Sequence, residues 1–150
     1  QVGLTLLTPL DSDYKDIFVL DNDLQGYDFA IRSKKEKLEI RYIIEPYHKE
    51  TPVSDLPSIR FVRMLANLAS NEENAVIAIH SIVQEDLEDV FHADWGKIAY
   101  FKNKALFSEW EHCKLLCLHR ADMGTVYVLF LFNEGGIALD NRTYAVQFSY

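Results

Sequence analysis

Residues 125–132 read TVYVLFLF and residues 114–118 read KLLCL. These two apolar runs indicate the class of fold, because both of their faces must be covered by other parts of the chain. Apolar side chains occupy consecutive positions in both runs, whereas a strand with one solvated face alternates apolar and polar residues. Such runs are typical of central strands that are covered on both faces. The tight connection Asp122-Met123-Gly124 favours an antiparallel hairpin between them.

Further strands are predicted on either side of this hairpin in the sequence. Residues 27–32 and 38–45 alternate in polarity, which is the period of a half-buried strand. Residues 33–37 (SKKEK) between them form a charged hairpin loop, and Pro46 ends the second strand because it has no N–H for the ladder. Short apolar segments predict three more strands, at residues 17–20, 75–81 and 98–101.

Helices are predicted around these strands. Apolar residues recur at three- and four-residue spacing along an amphipathic helix, namely Leu56, Ile59, Val62, Leu65, Ala66 and Ala69. Ser54 or Asp55 can cap this helix, and Pro57 is tolerated in its first turn. Residues 84–91 predict one or two acidic helical turns. Residues 137–150 favour a helix followed by a short strand, with alternation as a strand as the other interpretation.

The elements together predict an α+β fold, an α/β/α sandwich around a largely antiparallel sheet. The 150 residues, of which 49% are hydrophobic and 25% charged, suit a single globular domain over residues 1–150. A net charge of −8 argues against nucleic acid as a partner. No window has 18 consecutive apolar residues, so no transmembrane segment is predicted.

Cys113 and Cys117 are the two cysteines. On a strand they lie about 13 Å apart, which is too far for a disulfide. His119 would share their face, but it lies about 20 Å from Cys113, so one tetrahedral metal ion cannot join the three and no metal site is predicted. Unpaired thiols slightly favour the cytoplasm. An exported form stays open, because the chain begins at Gln1 without a Met.

The turn His92-Ala93-Asp94-Trp95-Gly96 is the best local candidate for a small-ligand or catalytic site. His92, Asp94 and Trp95 bring an imidazole, a carboxylate and an indole to a connection between elements, where sites often lie. The alternative is structural, with Asp94 bracing the turn and Trp95 covering the edge of the core. No nucleophile accompanies them, so acid/base chemistry would need partners from elsewhere.

An acidic cluster precedes this turn and consists of Glu85, Asp86, Glu88 and Asp89. It could attract a basic partner surface. A solvated face, or acids favoured near a helix N-terminus, is the alternative explanation. The chain has no nucleophile elbow and no glycine-rich phosphate loop, and no cofactor is predicted.

Three segments carry a resemblance to a known superfamily. Residues 39–42 (EIRY) with Pro46 close an early hairpin, residues 91–96 (FHADWG) lead into a strand, and residues 118–120 (LHR) precede the run at 126–132. From about Ile17 onward, the chain resembles a group of bacterial proteins with the Mog1/PsbP fold, an α/β/α sandwich around an antiparallel sheet. The superfamily includes a partner of a nuclear GTPase, an extrinsic photosystem II subunit and bacterial envelope proteins.

The resemblance implies a binding or assembly protein and brings no catalytic residues with it. We therefore expect a non-catalytic module that binds a protein partner. The alternative is a small-ligand-binding protein or enzyme that uses a cleft at His92, Asp94 and Trp95. A deep pocket holding those side chains would favour the alternative, and a flat exposed aromatic patch would favour protein binding.

Overall fold

The computed structural model describes residues 4–6, 13–19, 24–46 and 56–148. Within these ranges it contains nine strands, three helices and one π-helical turn. In chain order they are β1 (Leu4–Leu6), β2 (Lys15–Ile17), β3 (Phe29–Ser33), β4 (Leu38–Pro46), α1 (Pro57–Leu68), β5 (Ala78–Ser81), α2 (Gln84–Asp86), the π-turn (Leu87–Phe91), β6 (Trp95–Lys102), β7 (His112–Arg120), β8 (Gly124–Phe132), α3 (Ile137–Thr143) and β9 (Val146–Phe148).

Seven strands form one sheet in the order β2-β3-β4-β8-β7-β6-β5, and each described pairing is antiparallel. The two apolar runs form β7 and β8, which pair across a turn at residues 121–123, so the predicted hairpin is confirmed. All nine residues of β8 are buried, because β8 lies at the centre of the sheet. β1 and β9 form a separate two-stranded pair.

One face of the sheet, here called the α1 face, is covered by α1. This helix buries Phe61, Met64, Leu65 and Leu68. They belong to one apolar cluster with alternate residues of the central strands, including Cys113, Leu115, Cys117, Leu129 and Leu131. The sheet residues in this cluster occupy every second position, as the pleat requires.

The opposite face, here called the α3 face, is covered by several short elements. The π-turn contributes Leu87 and Phe91, α3 contributes Leu139, and β9 contributes Val146 and Phe148. The other set of alternate strand residues lies beneath them, including Leu116, Leu118, Val126, Val128 and Phe130. Cover on both faces explains why the central strands lack a polar side, and the mixed α+β class and largely antiparallel sheet are as predicted.

The helix and strand at the C-terminal end are also as expected. α3 begins after Gly136, and β9 follows it as a short strand. The acidic segment forms α2 and the π-turn, in agreement with the predicted one or two turns. None of the described helices has the length and apolar character needed to cross a bilayer.

The buried side of α1 differs from the prediction. Val62, placed on the apolar stripe from its spacing, is 61% exposed, and the helix instead buries Phe61 and Met64. Both sets of residues have helical spacing, and burying the larger side chains removes more apolar area from water. Pro57 lies in the first turn as expected. The proposed caps Ser54 and Asp55 lie outside the described residues.

Gly96, predicted to lie in a turn, is instead a buried residue of β6. A Cβ at this position would lie 2.8 Å from Cδ1 of Ile82 and 3.0 Å from the carbonyl oxygen of Cys117. Close approach between β6, β7 and the segment after β5 therefore requires glycine here.

Candidate functional site

His92 ends the π-turn in a left-handed conformation, with φ of 54°. Its Nδ1 lies 2.9 Å from the carbonyl oxygen of Phe148 in β9. Phe148 belongs to the apolar cluster of the α3 face. The imidazole therefore links the π-turn to β9 on that face.

Asp94 braces the start of β6 against the β7–β8 turn. Its Oδ2 accepts a hydrogen bond from the backbone N–H of Ala121 at 2.7 Å. Its own N–H donates to the carbonyl oxygen of His119 at 2.8 Å. These contacts are those of a turn-bracing carboxylate.

Trp95 packs, half-buried, against the apolar cluster of the α1 face, where it lies directly across from His119 of β7. The structure thus places the Trp95 indole and the His92 imidazole on opposite faces of the sheet, with Asp94 between them at the turn. The three residues predicted to line one cleft are neighbours in sequence, but the indole and the imidazole do not face a common space.

Cys113 and Cys117 are free, buried thiols on the α1 face. Burial raises the pKa of both thiols. Nδ1 of His119 lies 2.8 Å from Oγ1 of Thr125. Burial lowers the pKa of His119, and the nearby charge of Asp94 partly offsets this shift. The described residues contain no group of three His, Cys, Asp or Glu side chains placed to hold a metal ion.

The acidic cluster directly follows β5, which is the strand at one edge of the sheet. Glu85, Glu88 and Asp89 are exposed, and Asp86 is half-buried. Nε2 of Gln84 donates to Oε1 of Glu88 at 2.9 Å. Two further exposed acids, Glu72 and Glu73, precede β5, and Glu72 forms an ion pair with Lys102 at 2.9 Å.

β5 is an edge strand, and no strand in the described part of the chain pairs with its outer side. Large apolar side chains are exposed along it and at its ends, including Val76 (75% exposed), Ile79 (49%) and Val83 (62%). Natural proteins usually protect such an edge with charges, proline or a bulge. Between its acidic ends, this edge instead presents an apolar strip.

The backbone of β5 offers its free hydrogen-bonding groups at defined positions. The N–H of Ile82 donates to the carbonyl oxygen of Gly96 at 3.3 Å, and the register pairs His80 with Ile98. Bonded and non-bonded pairs alternate in an antiparallel ladder, so His80 also bonds to β6. The N–H and C=O groups of Ile79 and Ser81 therefore point away from the sheet.

Cavities lie along the same strand. A pocket of about 580 Å³ is lined in part by Val76, Ala78 and Tyr100. A smaller one of about 230 Å³ is lined in part by His80, Val83 and Asp86. Side chains of a strand added to this edge would have space at both ends of β5.

Sequence reasoning missed a charge cluster on the α1 face, formed by the buried Glu39 and Arg41 and the half-buried Arg32. Glu39 is 1% exposed and Arg41 is 8% exposed. Nε of Arg41 donates to Oε2 of Glu39 at 2.6 Å, and Nε of Arg32 donates to Oε1 at 3.0 Å. Burial opposes ionisation of Glu39, but hydrogen bonds and charges from the two arginines outweigh it and lower its pKa.

A signal for this cluster is present in the sequence. Glu39 and Arg41 are opposite charges at i and i+2, so they share one face of a strand. The charged loop at 34–37 sets the hairpin register that places Arg32 opposite Glu39. The alternation of residues 38–45 had indicated a solvated side, but α1 and the loop before β7 cover that side.

Comparisons of the chain with family models, with curated proteins and with solved structures found no match. Function is therefore inferred from the residues and their contacts.

Proposed function

We propose that this chain is a non-catalytic binding module that receives an extended, basic segment of a protein partner at the outer edge of β5. The free edge with its exposed apolar side chains carries this proposal. A segment that adds a strand there would accept and donate hydrogen bonds at Ile79 and Ser81. Strand addition is a common mode of peptide recognition, in which backbone bonds supply affinity and side-chain pockets supply specificity.

The charges beside β5 favour a basic partner. Glu72 and Glu73 precede the strand, and the acidic cluster follows it. Lys102 pairs with Glu72 and neutralises part of the charge before β5. The end of β5 next to the acidic cluster is therefore the more negative of its two ends. Lysine or arginine residues flanking an apolar centre would meet complementary charge at both ends.

The same charges disfavour a second copy of this chain as the occupant. A two-fold axis through an antiparallel pair of β5 strands would bring the acids before one strand beside the acids after the other. Like charges placed opposite each other destabilise such a pair. The net charge of −8 on each copy adds to this repulsion.

The resemblance to the Mog1/PsbP superfamily also favours a binding role. The resemblance itself stays a prediction. The alternative function, a ligand site or enzyme centre at His92, Asp94 and Trp95, has less geometric support. Each of the three side chains has a structural contact, and two of them lie on opposite faces. Phe148, Ala121 and the α1-face cluster supply those contacts.

The proposal is tested with a labelled synthetic peptide that alternates valine and threonine and carries lysines at both ends, with binding followed by fluorescence anisotropy. A matched peptide has glutamates in place of the lysines. We expect the lysine peptide to bind at least about tenfold more tightly, and the difference to shrink as salt screens the charges. Equal binding of the two peptides, or no binding, would contradict the proposal.

Variants locate the binding edge. Ile79→Pro removes an outward-pointing N–H without removing a ladder bond to β6, and proline is tolerated at such edge positions. We expect it to weaken binding about tenfold or more. Val62→Lys on α1 is the matched control, because Val62 is similarly exposed but lies on a helix. Loss of binding in the control, or full binding by Ile79→Pro, would place the peptide elsewhere.

A further inference from the structure

A pocket of about 330 Å³ opens on the α1 face beside the charge cluster of Arg32, Glu39 and Arg41, away from β5. We call it the Glu39 pocket. Its charged lining consists of Arg32, Glu39, Arg41 and Glu109. Its apolar lining includes Phe18, Tyr27, Leu106 and Phe107.

The carboxylate of Glu39 is fully used by the protein itself. Oε1 accepts bonds from Arg32 and from Nε1 of Trp110, and Oε2 accepts from Arg41. One of the two arginines neutralises Glu39, and the exposed carboxylate of Glu109 at the rim balances the positive charge of the second. A carboxylate saturated in this way orients the guanidinium groups beside it.

Each of the two guanidinium groups has a nitrogen donor that these contacts do not use. Nη1 of Arg32 and Nη2 of Arg41 form no hydrogen bond with any described residue. The guanidinium of Arg41 lies 4.7 Å from the ring centroid of Tyr27 and 5.1 Å from that of Phe107, which fixes its position. A rigid guanidinium with spare donors matches a carboxylate, because both groups are planar.

We propose that the Glu39 pocket binds a small organic anion, whose carboxylate is held by Arg32 and Arg41 and whose apolar body lies against Tyr27 and Phe107. Glu109 at the rim is the competing anion within the chain. Its carboxylate lies 3.4 Å from Nη2 of Arg32 and is largely exposed, so water screens the contact and the ligand can displace it.

Phenylacetate is the probe, since it combines a carboxylate with an aromatic body, and phenylacetamide is its uncharged counterpart. Titration calorimetry should give a Kd on the order of 1 mM or tighter for phenylacetate and binding at least about tenfold weaker for phenylacetamide. Binding should also shift the NMR signal of the Trp110 indole N–H, with Trp95 as the internal control. Equal affinity for the two probes, or no binding, would overturn the proposal.

Two exposed variants test the site without touching the buried charges. Glu109→Gln removes the competing carboxylate, so phenylacetate should bind about threefold or more tightly, with phenylacetamide unchanged. Leu106→Asp adds a negative charge at the rim and should weaken phenylacetate binding by a similar factor. Ile137→Asp on α3 is the matched control, because both leucine and isoleucine are highly exposed. An unchanged affinity of Glu109→Gln for phenylacetate, or equal losses of affinity in both aspartate variants, would show that phenylacetate does not bind in this pocket.

Discussion

Glu39 and Arg41 lie two residues apart on β4 and form an ion pair on the α1 face of the sheet, with Nε of Arg41 donating to Oε2 of Glu39. Both side chains are buried. Charges this deep are tolerated only when they are paired and hydrogen-bonded. Arg32 and Trp110 complete the set of donors around the carboxylate, so β3, β4 and the loop before β7 meet at one residue.

Glu39→Gln should destabilise the fold by about 3–5 kcal/mol. The substitution leaves Arg41 buried without its counter-charge, and an amide cannot replace a carboxylate that accepts from two guanidinium groups. Urea unfolding followed by circular dichroism measures the change in free energy of unfolding. The double variant Glu39→Leu with Arg41→Met should recover much of the loss, because an apolar pair of similar size removes both charges. A double variant as unstable as Glu39→Gln would contradict this account.

Stability should fall in mild acid because of His119. Its pKa in the fold lies below the unfolded value near 6.5, since burial disfavours the charged imidazole. At higher pH both states are neutral at this residue. As the pH falls below about 6.5, the unfolded chain binds a proton that the folded chain does not, so stability is lost until the folded pKa is reached. Stability curves of the natural chain and of His119→Gln should therefore differ in slope within this window and run parallel above it. Curves that are parallel throughout would refute the assignment.

Gly96→Ala should destabilise the fold by about 1–3 kcal/mol. The added methyl group meets the backbone oxygen of Cys117, which cannot move without separating β6 from β7. Thermal unfolding measures the loss. Gly136→Ala is the control, because a Cβ there meets no atom within 4 Å. Equal losses in the two variants would mean that close approach at Gly96 is not the cause.

The parts of the fold that the sequence predicts well are those with a local pattern. The β7–β8 hairpin follows from two unbroken apolar runs around a short turn, and α3 with β9 follows from periodicity at the C-terminal end. The buried side of α1 does not follow, since Val62 and Met64 both belong to stripes of helical spacing. Only the tertiary contacts with the sheet select between them.

The candidate sites depend more on topology than on motif. His92 and Trp95 are three residues apart, yet the start of β6 sends them to opposite faces. The burial of Glu39 depends on Arg32 and Trp110, which are distant in sequence, so alternation alone indicated a solvated position. β5 becomes the free edge through strand order, which a single sequence does not encode locally.

The most direct test of the proposed function is amide hydrogen exchange at Ile79 and Ser81, measured by NMR with and without the lysine-flanked peptide. Strand addition gives both N–H groups a hydrogen-bond partner, so their exchange should slow by about tenfold or more at saturating peptide. The amide of Val62 on α1 should not change. Binding that leaves the exchange of Ile79 and Ser81 unaltered would contradict recognition at the β5 edge.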